Sequence, residues 1–295
     1  EQSMSLKVVG LDAGETRAVY RSTQLDLRNY NKLQMWVHAE ALIDDVTNLA
    51  NGDLALVMRL GSDVKDNFYE YEIPLSLTRP GRYNNNVPGD RQEVWPLSNY
   101  LDLKLRSFVN LKRQRNRECS DSDVGYTTVY TKPDPDDGSR RISVRGNPSL
   151  SDVRVMVIGV RNNSGMIKSG TVWVNELKVT DFDESGGWAA KLNANLAVSD
   201  LATLNFSGHK ESAGFGNVDQ SLNERRIDDY TQYGLMLQTD IGRFLPASAK
   251  INAPIYYSVS HERVIPKYNP LDRDVKLSEA LDDVSTQAGR DSIKA

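Results

Sequence analysis

The chain has 295 residues, 36 of them basic and 40 acidic, and its formal charge of −4 makes no global case for a nucleic-acid partner. The single cysteine, Cys119, excludes an internal disulfide and a cysteine-based metal cluster, and no apolar run approaches the roughly 18 residues of a membrane helix. Residues 1–10 are mixed and polar, without the pattern of a targeting segment, and the length fits about two domains of roughly 100–200 residues each.

Short strands are predicted at residues 4–9, 33–40, 54–60, 68–75, 124–130, 141–145, 153–161 and 171–179, separated by polar or glycine-rich stretches. Many short strands punctuated in this way predict a mostly β first domain over residues 1–182, a jelly-roll-like β-sandwich with one inserted helix. The last two strands carry valine and isoleucine on both faces and are expected at the centre of a sheet. The helix is read from Leu97, Leu101, Leu105, Phe108 and Leu111, with Pro96 to start it and Lys112, Arg113, Arg115 and Arg117 at the negative end of its dipole. The basic run 104–117 could hold an acidic partner, but a solvated helix end is the expectation. Residues 79–90 and 132–139 are dense in Pro, Gly, Asn and Asp and are expected to be mobile loops. Within the second, Asp134, Asp136 and Asp137 offer carboxylates for calcium, yet their spacing misses the EF-hand rule, so a solvated acidic turn is expected. Trp36 and His38 lie on the opposite strand face from Met35 and Val37; they could stack on a sugar, although packing against another element is the expectation.

The segment VWVNELKVTDFDESGGW at residues 172–188 joins an alternating strand to an acidic corner and a double glycine. Asp181, Asp183, Gly186, Gly187 and Trp188 form this corner, with the glycines expected to supply backbone freedom. Beyond it, Ala190, Leu192, Ala194, Leu196 and Val198 alternate with Lys191, Asn193, Asn195 and Ala197. After a break at 199–201, Ala202, Leu204 and Phe206 alternate with Thr203, Asn205 and Ser207; Tyr233, Leu235, Leu237 and Thr239 then alternate with Gln232, Gln238 and Asp240. A fourth run follows at 251–259. A period of two means strands with one apolar and one polar face. A soluble sheet with one wet face gives the same alternation, so pattern alone does not decide between water and membrane. Three features lean towards a membrane barrel: run lengths near the 9–11 residues of a tilted spanning strand, connections that alternate short, long, short, and aromatic residues near strand ends at Trp188, Tyr230, Tyr233, Phe244, Tyr256 and Tyr257.

Signatures of catalysis are missing. His261-Glu262 has Ile265 where a zinc-protease motif needs its second histidine, and Gly214-Phe215-Gly216 lacks the third glycine of a dinucleotide fingerprint. Catalytic, cofactor and metal residues are therefore not expected.

The segments VWVNELKVTDFDESGGWAA, SLNERRIDDYTQYG, PIYYSVSHERVIPKYNPLDRDVKLSEALDD and EQSMSLKVVGLDAGETRAVYRSTQLDLRNYNKLQMWVHAEA resemble the SprA/Sov family, outer-membrane translocons of type IX secretion that are tied to gliding motility. The resemblance implies an internal fragment of a much longer protein. It implies transmembrane β-barrel hairpins at 183–262 and an extramembrane segment with a short helix at 263–295. The barrel would export folded cargo from the periplasm to the cell surface. Lys191, Asn193, Asn195, Thr203, Asn205, Gln238 and Asp240 would face the lumen, and Leu192, Leu196, Leu204, Phe206, Leu235 and Leu237 would face lipid. Partners would be the remainder of the barrel, a plug protein, a shuttle-type outer-membrane barrel protein, secreted cargo and membrane lipid. With short turns on the periplasmic side, the corners at 199–201 and 242–248 would lie inside, and the loop 210–229 and the sandwich outside. The alternative is a carbohydrate-binding β-sandwich of a cell-surface protein.

Overall fold

The computed structural model describes residues 3–119, 124–199, 201–221, 224–246, 248, 250–284 and 287–294. Strand makes up 49% and helix 16%, so the protein is mostly β, built from several antiparallel sheets. The chain divides after Asp183 into two compact units. Asp200, in the expected corner 199–201, and Ser285, where the expected aperiodic tail begins, lie outside the described residues.

In the first unit, β1 (Met4–Leu11), β3 (Tyr30–Glu40), β6 (Leu101–Lys104) and β10 (Lys168–Phe182) form a sheet in the order β1-β10-β3-β6. The other sheet contains β2 (Thr16–Leu25), β4 (Leu54–Gly61), β5 (Phe68–Pro74), β7 (Tyr130–Pro133), β8 (Arg141–Arg145) and β9 (Val153–Asn162), in the order β2-β9-β4-β5-β8-β7. Alternation fixes what each sheet buries. Leu33, Met35, Val37 and Ala39 of β3 are buried beside Val172 and Val174 of β10, and Leu56, Met58 and Leu60 of β4 beside Ile73, Tyr71 and Tyr69 of β5. At Gly170 a Cβ would meet the terminal methyls of Leu49 and Leu54 at 2.9 Å, so these leucines fill the space that the glycine leaves between the sheets.

The opposite face of the six-stranded sheet is closed by charge. Glu70 and Glu72 are buried; Arg59 reaches Glu70 at 2.5 Å, Arg161 reaches Glu70 at 2.9 Å and also pairs with Glu72, and Asn163 donates to Glu72 at 2.8 Å. Such carboxylates are tolerated in the interior because each has cationic and hydrogen-bonding partners.

The structure corrects several sequence expectations. Among the described residues of this unit there are three helices, not one: α1 (Pro88–Val94), α2 (Leu105–Glu118) and α3 (Val124–Thr127). The expected helix from Leu97 begins only at Leu105. Leu97–Asn99 is a single 3-10 turn, and Leu101 and Leu103, spaced equally well for a strand, are buried in β6 opposite Met35 and Leu33. The basic run is not a solvated helix end. Lys112 and Arg115 are 0% exposed and continue the stripe of Leu105, Phe108 and Leu111. Lys112 Nζ donates to Pro148 O at 3.0 Å and Arg115 to Gly146 O at 2.6 Å, so these cations hold the strand-exit loop after β8.

The loop 79–90 already contains the start of α1, and the loop 132–139 is pinned. Asp134 is buried and accepts the Tyr71 hydroxyl at 2.5 Å, Asp136 pairs with Lys104 at 3.0 Å, and Asp137 pairs with Arg140 at 2.9 Å. The three carboxylates turn to three different partners. The expected strand 124–130 is α3 followed by β7, because Gly146 N bonds to Tyr126 O and the Arg115 guanidinium lies 4.7 Å from the Tyr126 ring, docking a helical turn. β2 escapes the hydrophobic pattern since it is an edge strand with both faces wet, Tyr20 being 70% exposed.

In the second unit, β11 (Ala189–Val198), β12 (Ala202–Glu211), β13 (Asp228–Asp240) and β14 (Pro254–Pro266) form a four-stranded antiparallel sheet. β14 runs past the expected end near residue 260, because β13 starts at Asp228 and pairs it with Pro266. It also begins after 251: Asp240 Oδ1 accepts from Gly242 N and Ala253 N, both at 2.9 Å, which ties Ala253 into the connection. Next come the hairpin β15 (Tyr268–Asn269) and β16 (Asp272–Lys276), then α4 (Leu277–Asp283) and α5 (Gln287–Lys294), two helices where one was expected. Tyr268, Val275 and Ala280 are buried in this small cluster.

Asp63 supplies an acid-sensitive contact in the β4–β5 turn. Burial raises its pKa, but hydrogen bonds from the amides of Asp66, Lys65 and Asn67 and from the Asn67 side chain outweigh this and hold it at about 2, against an ordinary 3.8. A depressed carboxyl stabilises the fold above its unfolded pKa and loses that contribution as pH falls through the folded one. Urea midpoints followed by tryptophan fluorescence should therefore show Asp63→Asn less stable by at most about 2 kcal/mol near neutrality. The gap between variant and wild type should close as pH falls from 3.8 towards 2.

Candidate functional site: a sheet with unlike faces

Residues opposite one another in an antiparallel pair point to the same side of the sheet, so the register of β11–β14 defines two faces. One face carries the rows Leu192, Gly208, Tyr233, His261; Ala194, Phe206, Leu235, Val259; Leu196, Leu204, Leu237, Tyr257; and Val198, Ala202, Thr239, Ile255. The other carries Lys191, His209, Gln232, Glu262; Asn193, Ser207, Gly234, Ser260; Asn195, Asn205, Met236, Ser258; and Ala197, Thr203, Gln238, Tyr256. All six residues expected to meet lipid lie on the first face. Lys191, Asn193, Asn195, Thr203, Asn205 and Gln238 lie on the second, as does Asp240, at the end of β13 opposite Pro254.

The apolar face is uncovered. Leu192 is 59% exposed, Leu196 56% and Tyr257 54%. Soluble monomers seldom expose a contiguous apolar surface of this breadth without a use for it. One margin of the face is marked by the row Ala190, Lys210, Thr231 and Arg263, where the Lys210 ammonium sits 5.3 Å from the Trp188 ring centroid. In the adjoining row Tyr233 stacks on His261 at 5.1 Å. The polar face holds a depression of about 470 Å³ lined by Asn193, Asn195, Asn205, Ser207, Gly234, Ser258 and Ser260, with Asn195 donating to Asn205 at 2.6 Å.

The connections differ in kind. Val198 and Ala202 are joined by a tight turn with Leu201 N bonded to Val198 O and Ser199 at φ +47°. The longer connection from β12 to β13 is closed by bonds between Gly214, Phe215 and Arg226, and Arg226 pairs with both Glu211 and Asp228 at 2.7 Å.

Over residues 1–281 the sequence matches the SprA_N family, described as motility related/secretion protein. The chain belongs to that family. No curated protein matches it. No helix among the described residues is long and apolar enough to cross a membrane, a statement that does not bear on strands.

For this motility related/secretion protein the corner residues separate into two groups. Asp181, at φ +54°, pairs with Lys32 at 3.2 Å, and Asp183 N bonds to Asn29 O, both within the first unit. Gly187 and Trp188 are bound within the second: Trp188 N donates to Ser212 Oγ at 2.8 Å, and a Cβ on Gly187 would meet Phe215 N at 2.0 Å. Gly187 is therefore required by a close approach rather than by backbone freedom, while Gly186 faces open space. Sequence reading placed Gln232, Ser258 and Ser260 on the polar side of the alternation but did not extend that face to Glu262, which the register sets opposite Gln232.

His38 is buried, with Nδ1 2.7 Å from Val94 O and 3.0 Å from Thr78 Oγ1, and Trp36 lies 4.3 Å from the Tyr100 ring, so both pack beneath the segment that follows α1. His261 stands in β14 with its partners on the sheet face and with Ile265 opposite Asp229.

The glycine contrast is testable. Gly187→Ala should destabilise the second unit by about 1–3 kcal/mol, as overpacking against backbone does, whereas Gly186→Ala should leave the denaturation midpoint unchanged.

Proposed function

We propose that β11–β14 form part of the wall of a large outer-membrane β-barrel through which folded cargo passes from the periplasm to the cell surface in type IX secretion and gliding motility. The observation that carries this reading is the exposed apolar face, four rows deep, backed by a face on which amide, hydroxyl and charged side chains predominate. The four rows cover six residue steps, roughly 20 Å along the strands. At a barrel tilt of about 40° the apolar rows project to about 15 Å, and with the row of Lys210 and Arg263 and then Trp188 as an interfacial margin the face spans ten steps, which project to about 25 Å. Trp188 beneath Lys210, with Arg263 in the same row, fits the interfacial margin, where aromatic rings and snorkelling cations sit.

In this setting Lys191, Asn193, Asn195, Thr203, Asn205, Gln238 and Asp240 line the lumen, and Leu192, Leu196, Leu204, Phe206, Leu235 and Leu237 meet lipid. The protein's task is passage rather than chemistry. Its partners are the remaining barrel strands, a plug protein, a shuttle-type barrel protein and the cargo. The first unit is then a jelly-roll-like sandwich on the extracellular side. The tight turn after Val198 and the connection after Asp240 face the periplasm, and the longer connection between β12 and β13 faces outward.

A charge scan separates the faces. Leu235→Arg near mid-band should cost about 2–4 kcal/mol and lower the amount of assembled, heat-modifiable barrel, with Asn205→Arg much milder; equal effects at both positions would sink the assignment. The orientation has its own check. A protease site placed at Gly165, in the loop between β9 and β10, should be cut on intact cells; protection until the outer membrane is permeabilised would reverse the topology.

A further inference from the structure

The first unit has a second concave feature, unrelated to the barrel reading. α1 overhangs the outer face of β3 and β10 and leaves a groove of about 450 Å³. That volume lies within the range of small-molecule sites, about 300–1,000 Å³. Two half-buried indoles, Trp36 from β3 and Trp95 at the end of α1, present surface to it. Around them stand Arg91 and Gln92 of α1, and Asn175 and Glu176 of β10. The last two sit at a β-bulge between Asn175 and Lys178, where Glu176 takes φ +53°. A bulge re-aims the side chains it carries, and here it brings an amide and a carboxylate to the groove.

Partnering narrows the ligand class. Among the described residues, the side chains of Arg91, Gln92, Asn175 and Glu176 make no hydrogen bond to another residue, and Glu176 has a 3.9 Å contact with Lys178 and lies close enough to Tyr100 to raise the phenol's pKa. The lining thus offers free donors and free acceptors together, with one cation balanced by one anion. A phosphate or a polyanion is matched by cations and donors, and the Glu176 carboxylate in the lining would repel it. A peptide strand is matched by a sheet edge, but β3 and β10 are interior strands of the order β1-β10-β3-β6. A neutral saccharide fits each term, because its hydroxyls both donate and accept and its C–H faces lie flat on indole rings.

We infer that this groove binds a neutral oligosaccharide, with Trp36 and Trp95 as stacking platforms and Arg91, Gln92, Asn175 and Glu176 as hydroxyl partners. The test titrates the 295-residue chain, held in an amine-oxide detergent without a sugar headgroup, with gluco-, manno-, galacto- and N-acetylglucosamine oligosaccharides while tryptophan fluorescence is followed. At least one series should give a saturable change, and the double variant R91A/Q92A should weaken it at least tenfold. Those two side chains are exposed on a short helix, so the variant retains its fold, which its circular dichroism checks. Trp36→Ala should abolish the response. No saturable change up to about 10 mM, an unaltered affinity in R91A/Q92A, or equal competition by an unrelated extended peptide would each overturn the inference. None of these outcomes depends on whether β11–β14 span a membrane.

Discussion

The second unit depends on unbroken register. From Ala189 to Pro266 the three pairings of β11–β14 proceed without a shift, so parity in one strand carries to the next. A slip of one residue would place Asn195 beside Leu204 and Leu196 beside Thr203, setting amides against the apolar rows and leucines against the polar ones. The pins that oppose such a slip are local. The tight turn at Ser199 fixes β11 on β12, Asp240 fixes both ends of the β13–β14 connection, and the Arg226 contacts fix the longer loop. Gly187 adds a fourth, since its contact with Phe215 admits no side chain.

The first unit solves the opposite problem with the same alternation. β5 is buried on both faces, which places Glu70 and Glu72 in the interior, and arginines from β4 and β9 cover them. Lys112 and Arg115 likewise occupy stripe positions of α2 and satisfy the carbonyls of Pro148 and Gly146. Polar groups inside this unit close it, whereas polar groups on β11–β14 are gathered onto one open face. Burial of a charge with a partner and exposure of a leucine without one are each costly to leave unmatched.

The contrast explains what was legible in the sequence. Period-two alternation in β11–β13 assigned every candidate residue to a face, because leucine and asparagine differ enough to reveal parity without any tertiary information. Where a residue type contradicts its position, reading failed. Lys112 and Arg115 look solvated and are buried, Asp134 looks like a wet turn and serves Tyr71, and Leu97 to Leu105 satisfies a helical and a strand spacing at once. Partner identity decides such cases, and partners 30 to 60 residues away are invisible to local pattern. The groove on the first unit was half visible: Trp36 was recognised, but Trp95 and Arg91 were assigned to no element until α1 had formed over the sheet.

One consequence of the open sheet bears on assembly. β11 and β14 are its edges, and each pairs with only one neighbour. In water such an edge is solvated, but in hydrocarbon every unpaired N–H and C=O costs several kcal/mol, so a membrane setting tolerates these strands only when further strands continue the ladder on both sides. The exposed apolar face and the two open edges therefore make the same demand. If the face meets lipid, the edges must be paired by other barrel strands, and the sheet would be most stable as an inserted part of a closed wall. In hydrocarbon, cover for the leucines alone would leave the edges unpaired, and in water edge pairing alone would leave the leucines exposed. Closure within a barrel would answer both, so the proposed function rests on the geometry of four strands rather than on any single residue.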